Sequence, residues 1–126
     1  MHKGIGLYAH IVWGTYGRQR LVRKDDVPVV IAALREAAQR CDVHVHAASV
    51  LTDHVHLLVS YRPDVALAGF IRHAKSESSR RINLEGRRLF RWQRGYWVES
   101  VSRSLVRAAR VYIGNQFLRH PERVPA

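Results

Sequence analysis

Apolar and polar residues alternate with two different periods along the chain, and these periods separate strands from helices. Segments that are rich in β-branched and aromatic residues, or that alternate between apolar and polar residues, predict strands. They are residues 5–13, 43–51, 54–61 and 96–101. Segments with apolar residues three or four positions apart predict helices. The predicted helices begin at Asp25–Asp26, at Pro63–Asp64 and at Ser102 or Ser104, and they end near Cys41, Asn83 and Leu118.

The predicted elements follow one another in the order β-α-β-β-α-β-α. Thr52 and Asp53 make a tight turn between the second and third strands, which predicts an antiparallel hairpin. The order is typical of an α+β, ferredoxin-like sandwich with a mainly antiparallel sheet and helices on one face. Because the chain has 126 residues and no linker or repeat, residues 1–126 are predicted to form a single domain. Residues 119–126 follow the final helix and are predicted to be frayed.

The net charge of the chain indicates which class of partner it binds. It has 21 Lys and Arg residues against 10 Asp and Glu, a net charge of +11. A compact protein this basic attracts polyanions, of which nucleic acid is the commonest, although a merely solvated basic surface fits the same number. The single cysteine, Cys41, excludes an intramolecular disulfide. No apolar run reaches the roughly 18 residues of a membrane span, and no signal peptide is recognisable, so the sequence predicts a cytoplasmic protein.

Two histidines in the third predicted strand form the first candidate site. His54 and His56 are two residues apart, so their side chains project from the same face of the strand. Two imidazoles placed in this way can bind one divalent metal ion if a third ligand comes from elsewhere. The same pattern also occurs on ordinary polar sheet faces. His44 and His46 have the same spacing on the preceding strand, so spacing alone leaves both pairs open.

The last predicted helix carries the second candidate site. Tyr112 and Gln116 are four residues apart, which places them about one helical turn apart on one side. A projection at about 100° per residue predicts which residues face the body of the protein and which face solvent. The predicted inner face contains Leu105, Ala108, Ala109, Tyr112 and Gln116, and the predicted outer face contains Arg103, Arg107 and Arg110. By itself, this pattern favours an amphipathic helix whose tyrosine is packed in the core, with Gln116 as its hydrogen-bonded neighbour.

Several motifs occur in order along nearly the whole chain, and together they are far more specific than any one of them. They are His10–Trp13, Asp53–Val59, Lys75–Ser79 with Ile82–Asn83, Phe90–Tyr96, Ser100–Ser102 and Tyr112–Gln116. On these motifs, the chain resembles the single-domain tyrosine transposases of the HUH superfamily (histidine, hydrophobic residue, histidine), which the smallest bacterial insertion sequences encode.

The resemblance implies a role for each candidate residue. It implies that His54, His56 and Gln116 bind a divalent metal ion, Mg²⁺ or Mn²⁺, and that Tyr112 is the nucleophile. His44 and His46 match no ligand position and are then sheet residues. The implied reaction cleaves and rejoins single-stranded DNA at transposon ends through a 5′-phosphotyrosine intermediate.

The resemblance also implies partners. These are single-stranded DNA, with hairpin transposon ends, and a second copy of the chain, because family members are dimers whose tyrosine helix can dock on the histidines of the other subunit. Basic residues interleaved with aromatic ones suit phosphates and unstacked bases. The predicted DNA contacts are Arg18, Arg72, Lys75, Ser79, Arg87, Arg88, Arg91, Trp92 and Arg94.

Three other functions are compatible with parts of the pattern. The first is a non-catalytic or domesticated nucleic-acid-binding domain of ferredoxin-like fold, which would not depend on His54 or Tyr112. The second is a replication initiator or relaxase of the same superfamily, although these proteins usually have further domains. The third is a metal-dependent phosphoesterase that forms no covalent bond to Tyr112.

Overall fold

The structure is a computed structural model that describes residues 6–126. Four strands form one antiparallel sheet in the order β2-β3-β1-β4. The strands are β1 (Leu7–Gly14), β2 (Val43–Val50), β3 (His54–Tyr61) and β4 (Trp97–Val101). The helices are α1 (Asp26–Cys41), α2 (Leu67–Gly86), α3 (Val106–Gly114) and α4 (Gln116–Arg119), and short 3-10 turns cover Tyr16–Arg18, Arg103–Leu105 and Pro121–Arg123. The predicted α+β class, element order and antiparallel sheet are confirmed. The first residue of the first predicted strand lies outside the described residues.

The two faces of the sheet have different neighbours. Alternate residues of β1 and β3, such as Ile11 and Leu57, point to one face, where they pack with the apolar sides of α1 and α2 into the main core. The shorter α3 lies on the other face, over β2 and β3, where Ile113 is fully buried. The strand period of two therefore separates the residues of the main core from those that can form a site under α3.

The β2–β3 hairpin brings the two histidine pairs onto one sheet. The Leu51 N–H donates to the His54 carbonyl at 2.9 Å and closes the turn, which confirms the predicted hairpin. The register shifts between Val45 and Ala47, so His46 is the extra residue of a β-bulge. Edge strands commonly carry such bulges, and here the bulge interrupts the pairing of β2 beside its own histidines.

The second helix begins later and ends later than predicted. The Val65 N–H donates to the Arg62 carbonyl at 3.0 Å, so the segment at Pro63 forms a turn, and α2 begins only at Leu67. At its other end, α2 continues to Gly86. The Asn83 side chain then donates to the Phe90 carbonyl at 3.0 Å and accepts the Phe90 N–H. This pair of bonds closes the basic loop that follows the helix.

The prediction for the last helix is wrong in two respects. It is not continuous to Leu118, because it breaks at Asn115 into α3 and α4. Its buried face is also rotated: Ile113 is buried, whereas Leu105 and Ala108 are exposed and Tyr112 is 41% exposed. The physical reason is the docking of α3 through Ile113, whose carbonyl accepts a hydrogen bond from the Ser49 hydroxyl. The predicted outer residues, Arg103, Arg107 and Arg110, are exposed.

The C-terminal residues are docked, so the prediction of a frayed end is also wrong. The Thr52 N–H donates to the Arg123 carbonyl at 2.8 Å, and the Lys24 N–H donates to the Ala126 carbonyl at 3.2 Å. Pro125 is buried. The end of the chain therefore lies against the β2–β3 turn, directly before the His54/His56 pair. Among the described residues, no helix is long and apolar enough to cross a membrane.

Candidate functional site

The two histidines of β3 converge on one point of the sheet. His54 is the first residue of the strand and His56 lies two residues on, so both side chains point to the face that carries α3. Both residues are buried, at 7% and 8% exposure. Their Nε2 atoms lie 3.0 Å apart. Two nitrogen ligands that bind one ion at about 2.1 Å and at right angles are about 3.0 Å apart, so this separation fits shared coordination.

The other nitrogen of each histidine is already engaged. His54 Nδ1 lies 2.7 Å from Asp53 Oδ1, and His56 Nδ1 lies 2.9 Å from His10 Nε2. If each Nδ1 carries the proton, both Nε2 atoms present lone pairs to the same point. A partner on the far nitrogen is the usual way in which a protein fixes the tautomer and orientation of a metal-binding imidazole.

Asp53 is a buried carboxylate with several cationic neighbours. Its side chain is 2% exposed and forms ion pairs with Arg123 and, at 3.8 Å, with Arg18. Burial alone would raise the pKa of Asp53. The hydrogen bond from His54 and the charges of the two arginines outweigh that effect and hold the pKa below its usual value. Asp53 therefore stays ionised and is a strong acceptor for His54 Nδ1–H.

The electrostatic surroundings keep both histidines neutral. Burial, followed by the charges of His54 and His10, lowers the pKa of His56 to about 3. Burial also lowers the pKa of His54, although the bond to Asp53 opposes this shift. Only a neutral imidazole can bind a metal ion, so at pH 7 this pair is in the form that a ligand requires.

The remaining ligand must be of another residue type. Among the described residues, no group of three or more His, Cys, Asp or Glu side chains is arranged to hold a metal ion. Gln116 begins α4 and has a 1% exposed side chain. Its Nε2 donates to the Tyr112 carbonyl at 3.0 Å, so the amide oxygen is the atom that Gln116 would offer to an ion. An amide oxygen suits Mg²⁺ or Mn²⁺.

Tyr112 lies beside this histidine pair in the same chain. Its ring centroid is 6.2 Å from that of His56 and 6.3 Å from that of His10, and both contacts are edge-on. The guanidinium of Arg119 lies over the Tyr112 ring at 5.0 Å. The break at Asn115 thus leaves Tyr112 partly exposed, next to the histidines, and Gln116 buried. The structure brings the predicted nucleophile next to the histidine pair, with Gln116 hydrogen-bonded to the Tyr112 carbonyl, while the roles of these residues stay predictions.

An unusual turn places Arg18 at the edge of the site. Gly17 and Arg18 both have left-handed backbone angles, with φ of 62° and 54°. The turn folds the Arg18 side chain over Gly14, the residue that pairs with His54 across the sheet. A Cβ atom on Gly14 would lie only 2.6 Å from Arg18 Cδ. Glycine at this position therefore allows a guanidinium to approach the histidine pair.

Other predicted DNA contacts surround a groove of about 520 Å³ between α2 and the loop that precedes β4. The predicted contacts that line it are Arg72, Lys75, Ser79, Arg91 and Trp92. Arg72 and Arg91 are exposed there, and the Arg91 guanidinium also lies 3.9 Å above the ring of Tyr16. Arg87 and Arg94 are exposed on the loop outside this lining. These arginines are accessible to a polyanion.

Several of the predicted DNA contacts are engaged within the protein. Trp92 is buried, its ring packs edge-on against Trp13, and its N–H donates to the Ser78 hydroxyl at 2.8 Å. Its indole is therefore part of the core and not a free stacking surface. Lys75 Nζ donates to the carbonyls of Gln93 and Gly95, at 2.7 and 2.8 Å. The guanidinium of Arg88 bonds to the Asp26 carboxylate and the Leu21 carbonyl.

Sequence reasoning did not assign a role to three residues of the site. His10 was only part of a motif, and Asp53 was only the acidic residue next to His54. Both had a local signal, because a strand that pairs with a metal-binding strand is a natural source of hydrogen-bond partners. Arg123 had none, because it lies 70 positions from Asp53 in the sequence.

Comparisons with known proteins show the family of the chain. Residues 4–116 match the family model described as "Transposase IS200 like". The chain is 29% identical over 129 residues to the ISDra2 transposase TnpA of Deinococcus radiodurans, an alignment that covers 92% of this chain and 91% of that protein.

Two solved structures have a similar fold. The first is a candidate transposase of Deinococcus radiodurans R1, with a TM-score of 0.72 and 26% identity over 92% of this chain and 98% of the other. The second is a REP-associated tyrosine transposase bound to a REP hairpin, with a TM-score of 0.74 over 95% of this chain and 72% of the other. At 16% identity, the second likeness shows the fold alone. The family match covers most of the chain, including the histidine pair, Tyr112 and Gln116, and the chain therefore belongs to the IS200-like transposases.

Proposed function

We propose that this transposase cleaves and rejoins single-stranded DNA at transposon ends by a metal-assisted attack of Tyr112 on a phosphodiester. The observation that carries the proposal is the position of the Tyr112 ring, 6.2 Å from His56 and beside two Nε2 atoms that converge within 3.0 Å. A packed core tyrosine would not need to be 41% exposed at such a place. The similar REP-associated transposase binds a REP hairpin, which favours hairpin ends as the DNA of this chain.

The metal ion in this proposal is Mg²⁺ or Mn²⁺, bound by His54, His56 and the amide oxygen of Gln116. All three ligands are neutral, so an ion at this point keeps its full charge for neutralising the scissile phosphate. Asp53 and His10 orient the two imidazoles through their Nδ1 atoms. Arg18 adds a positive charge at the rim of the site.

Tyr112 performs the covalent step. An ordinary phenol has a pKa near 10, so it loses its proton as its oxygen attacks the phosphorus. The bond from phosphorus to the 3′ oxygen breaks, the 3′ oxygen takes up a proton, and the 5′ phosphate stays joined to Tyr112. Attack by a 3′ hydroxyl on this phosphotyrosine reverses the step and joins DNA without ATP. Arg119, whose guanidinium lies over the Tyr112 ring, favours a developing negative charge on that side chain.

The exposed arginines would hold the DNA. Arg72, Arg91 and Arg94 surround or adjoin the groove beside α2, and Arg87 lies on the neighbouring loop. Phosphate contacts of this kind position a nucleic acid without reading its sequence. Ser79 lines the same groove and adds a hydroxyl. Lys75 and Trp92 support the groove from within, as their internal hydrogen bonds indicate. Arg88 instead attaches the loop to Asp26 and Leu21.

A second copy of the chain is the proposed protein partner. β4 is an edge strand, and Trp97 and Val98 on it are exposed. Leu105, directly before α3, and Val111, on α3, are also exposed. Exposed apolar residues next to an unpaired edge are typical of an association surface. We propose a homodimer that acts in the cytoplasm, where the DNA of a bacterial element lies. Sedimentation analysis of the purified protein tests the dimer.

A covalent-trapping assay tests the proposed reaction. The protein is mixed with Mn²⁺ or Mg²⁺ and single-stranded oligonucleotides from the DNA that flanks its gene, each labelled at the 3′ end. We expect a labelled protein band that survives denaturation and disappears with chelator or with Tyr112→Phe. Tyr61→Phe, which removes a hydroxyl away from the site, is the matched control and should keep the band.

Other outcomes of the assay favour other functions. A band that persists in Tyr112→Phe would show that another group is the nucleophile. Tight binding of the same oligonucleotides without any adduct would favour a non-catalytic DNA-binding protein. Cleavage without an adduct would favour a phosphoesterase.

A further inference from the structure

A second pocket, of about 480 Å³, lies beside the loop that follows α2. Its size falls within the range of about 300–1,000 Å³ that is usual for sites of small organic ligands. Its walls combine an aromatic ring, apolar side chains, a guanidinium and polar groups, and we call it the Tyr16 pocket. Its lining includes Tyr16, Gln19, Leu21, Ser79, Leu89 and Arg91.

Two residues of the Tyr16 pocket present apolar surface to solvent. Tyr16 is 51% exposed and Leu89 is 97% exposed, whereas Phe90 and Trp92, on the same loop as Leu89, are buried. The chain around them is strongly basic, with a net charge of +11. A nucleobase has flat apolar faces and is joined to a negatively charged phosphate, so it matches this combination of surface and charge.

Arg91 supplies the positive charge of the pocket. Its guanidinium lies 3.9 Å from the centre of the Tyr16 ring. A guanidinium that lies over a ring keeps its N–H groups available as donors to phosphate. The pair therefore offers an aromatic surface to a base and hydrogen-bond donors to the phosphate beside it. These are the two kinds of contact by which proteins bind single-stranded DNA.

Backbone hydrogen bonds fix the two loops that carry this pair. The Tyr16 N–H donates to the Arg91 carbonyl at 3.0 Å, and the Gln93 N–H donates to the Gly14 carbonyl at 2.9 Å. Between these two bonds, a β-bridge joins Thr15 to the loop. The surface is therefore formed before a ligand binds, and less conformational entropy is lost on binding.

The Tyr16 pocket adjoins both the groove beside α2 and the turn that leads to the histidine pair. Ser79 and Arg91 line the pocket and the groove alike. On the other side, the turn that begins at Tyr16 ends at Arg18, whose side chain folds over Gly14 at the edge of the site. A DNA strand that lies in the groove and reaches the histidine pair would thus pass the pocket.

We propose that the Tyr16 pocket binds one unstacked base of the single-stranded DNA, with the Tyr16 ring against the base and Arg91 on the neighbouring phosphate. Tyr16 then positions the strand and takes no part in the chemistry. A fully paired duplex keeps its bases stacked inside the helix and could not place one in the pocket. This inference rests on the proposed function for the identity of the ligand.

The first test measures binding in chelator, so that no cleavage occurs. The fluorescence anisotropy of labelled single-stranded oligonucleotides from the DNA that flanks the gene gives the Kd. We expect Tyr16→Leu to raise this Kd about 5- to 150-fold, the usual loss when one stack of a base on an aromatic ring is removed. Tyr16→Phe keeps the ring and should bind within about two-fold of wild type. The Kd of a fully paired duplex of the same sequence should be equal in Tyr16→Leu and wild type.

The second test identifies the base that occupies the pocket. Each nucleotide of the oligonucleotide is replaced in turn by an abasic site. With the wild-type protein, one position should raise the Kd about as much as Tyr16→Leu does. With Tyr16→Leu, the same abasic oligonucleotide should cause no further loss of affinity, because the base and the ring form a single contact.

A third comparison keeps the proposal testable if Tyr16→Leu disturbs the loop. Leu89 is 97% exposed, so its replacement removes no core packing. Leu89→Glu places a negative charge at the pocket and should raise the Kd for single-stranded DNA at least about three-fold. Gln39→Glu makes the same change of charge on α1, in the separate pocket between α1 and β2, and should leave the Kd within about two-fold of wild type.

The outcomes separate this proposal from the proposed function. A Kd for Tyr16→Leu equal to that of wild type would overturn the base pocket and leave the proposed reaction intact. Losses that add to that of Tyr16→Leu at every abasic position would do the same, as would equal effects of Leu89→Glu and Gln39→Glu. If the wild-type protein bound none of the oligonucleotides, the proposed function would fail together with the pocket.

Discussion

Two His-x-His pairs lie on neighbouring strands of this sheet, and only one of them resembles a metal site. His44 and His46 belong to the edge strand β2, where His44 is exposed and His46 is part of a bulge. His46 Nε2 lies 2.8 Å from the Ser60 hydroxyl, so that nitrogen is engaged. The two rings are 4.9 Å apart between centroids, nearly the 4.8 Å of His54 and His56. Proximity of the rings therefore does not distinguish the pairs.

The two pairs differ in which ring nitrogens have hydrogen-bond partners and which remain available to a metal ion. In the β3 pair, partners hold both Nδ1 atoms, and the Nε2 atoms face each other at 3.0 Å. β3 is an inner strand, so His10 on β1 can reach His56 from the side. β2 has a neighbour on one side only, and its bulge disturbs the pairing there. The two pairs thus have the same spacing in sequence but different hydrogen-bond partners, because their strands lie at different positions in the sheet.

The largest expected effect comes from removing one histidine of each pair. His56→Ala should lower DNA cleavage by about a thousand-fold or more, because it removes a ligand of the ion that neutralises the phosphate. His46→Ala should change the rate less than about two-fold, as is usual for a residue away from the site. Single-turnover cleavage rates with Mn²⁺ measure both. Equal losses of cleavage rate in the two variants would show that the two histidine pairs do not differ in function.

The next largest effect tests the hydrogen-bond partners of the two histidine pairs. Asp53→Asn removes the carboxylate next to His54 Nδ1 and should raise the Mn²⁺ Kd about 10- to 100-fold. Ser60→Ala removes the corresponding partner of His46 and should leave the Kd unchanged. Calorimetric titration of the metal measures both. A Kd for Asp53→Asn within about two-fold of wild type would show that His54 does not depend on its carboxylate partner.

The pH dependence of stability separates the pairs in another way. His56 has a pKa of about 3 in the folded protein against 6.5 as the ordinary value, so between these values the unfolded chain binds a proton that the folded chain does not. In chelator, His56 should therefore lower the free energy of unfolding by about 1.4 kcal/mol for each pH unit below 6.5, until the pH nears 3.

Denaturant unfolding at several pH values measures this slope. His56→Gln should flatten the decline between pH 6 and pH 4, whereas His44→Gln, a substitution of an exposed residue on the edge strand β2, should keep it. An unchanged slope in His56→Gln would show that His56 is not buried as a neutral group.

The sheet and the two long helices were predictable because their signals are local. Alternation along residues 54–61 and the helical period of residues 26–41 depend on near neighbours, and they placed these elements correctly. The last helix was not predictable in detail. Its break at Asn115 and its rotation onto Ile113 depend on β2 and on the docked tail, which are distant in sequence. Periodicity indicated an inner face but could not show which contacts select it.

Some features of the candidate site were likewise predictable from the sequence, and others were not. The pairing of His54 with His56 followed from the strand period, and the roles of Tyr112 and Gln116 came from the family resemblance. The choice between the two histidine pairs also needed the resemblance, because the physical difference lies in His10 and Asp53. The contact of Arg123 with Asp53 has no local pattern, so only the folded chain shows it.

The smallest expected effect concerns His10, which distinguishes a hydrogen-bond partner from a packing neighbour. Its ring stacks on His56 with centroids 5.1 Å apart and an angle of 21°, while its Nε2 lies 2.9 Å from His56 Nδ1. His10→Phe keeps an aromatic ring for the stack but removes the nitrogen, and should raise the Mn²⁺ Kd about three- to ten-fold, at or below the lower end for an outer partner. His10→Gln, whose amide can still accept from His56, should recover much of the affinity. If the phenylalanine variant binds Mn²⁺ as wild type does, the ring stack alone orients His56. In that case β1 supports the site through the packing of the residue 10 ring and not through a hydrogen bond.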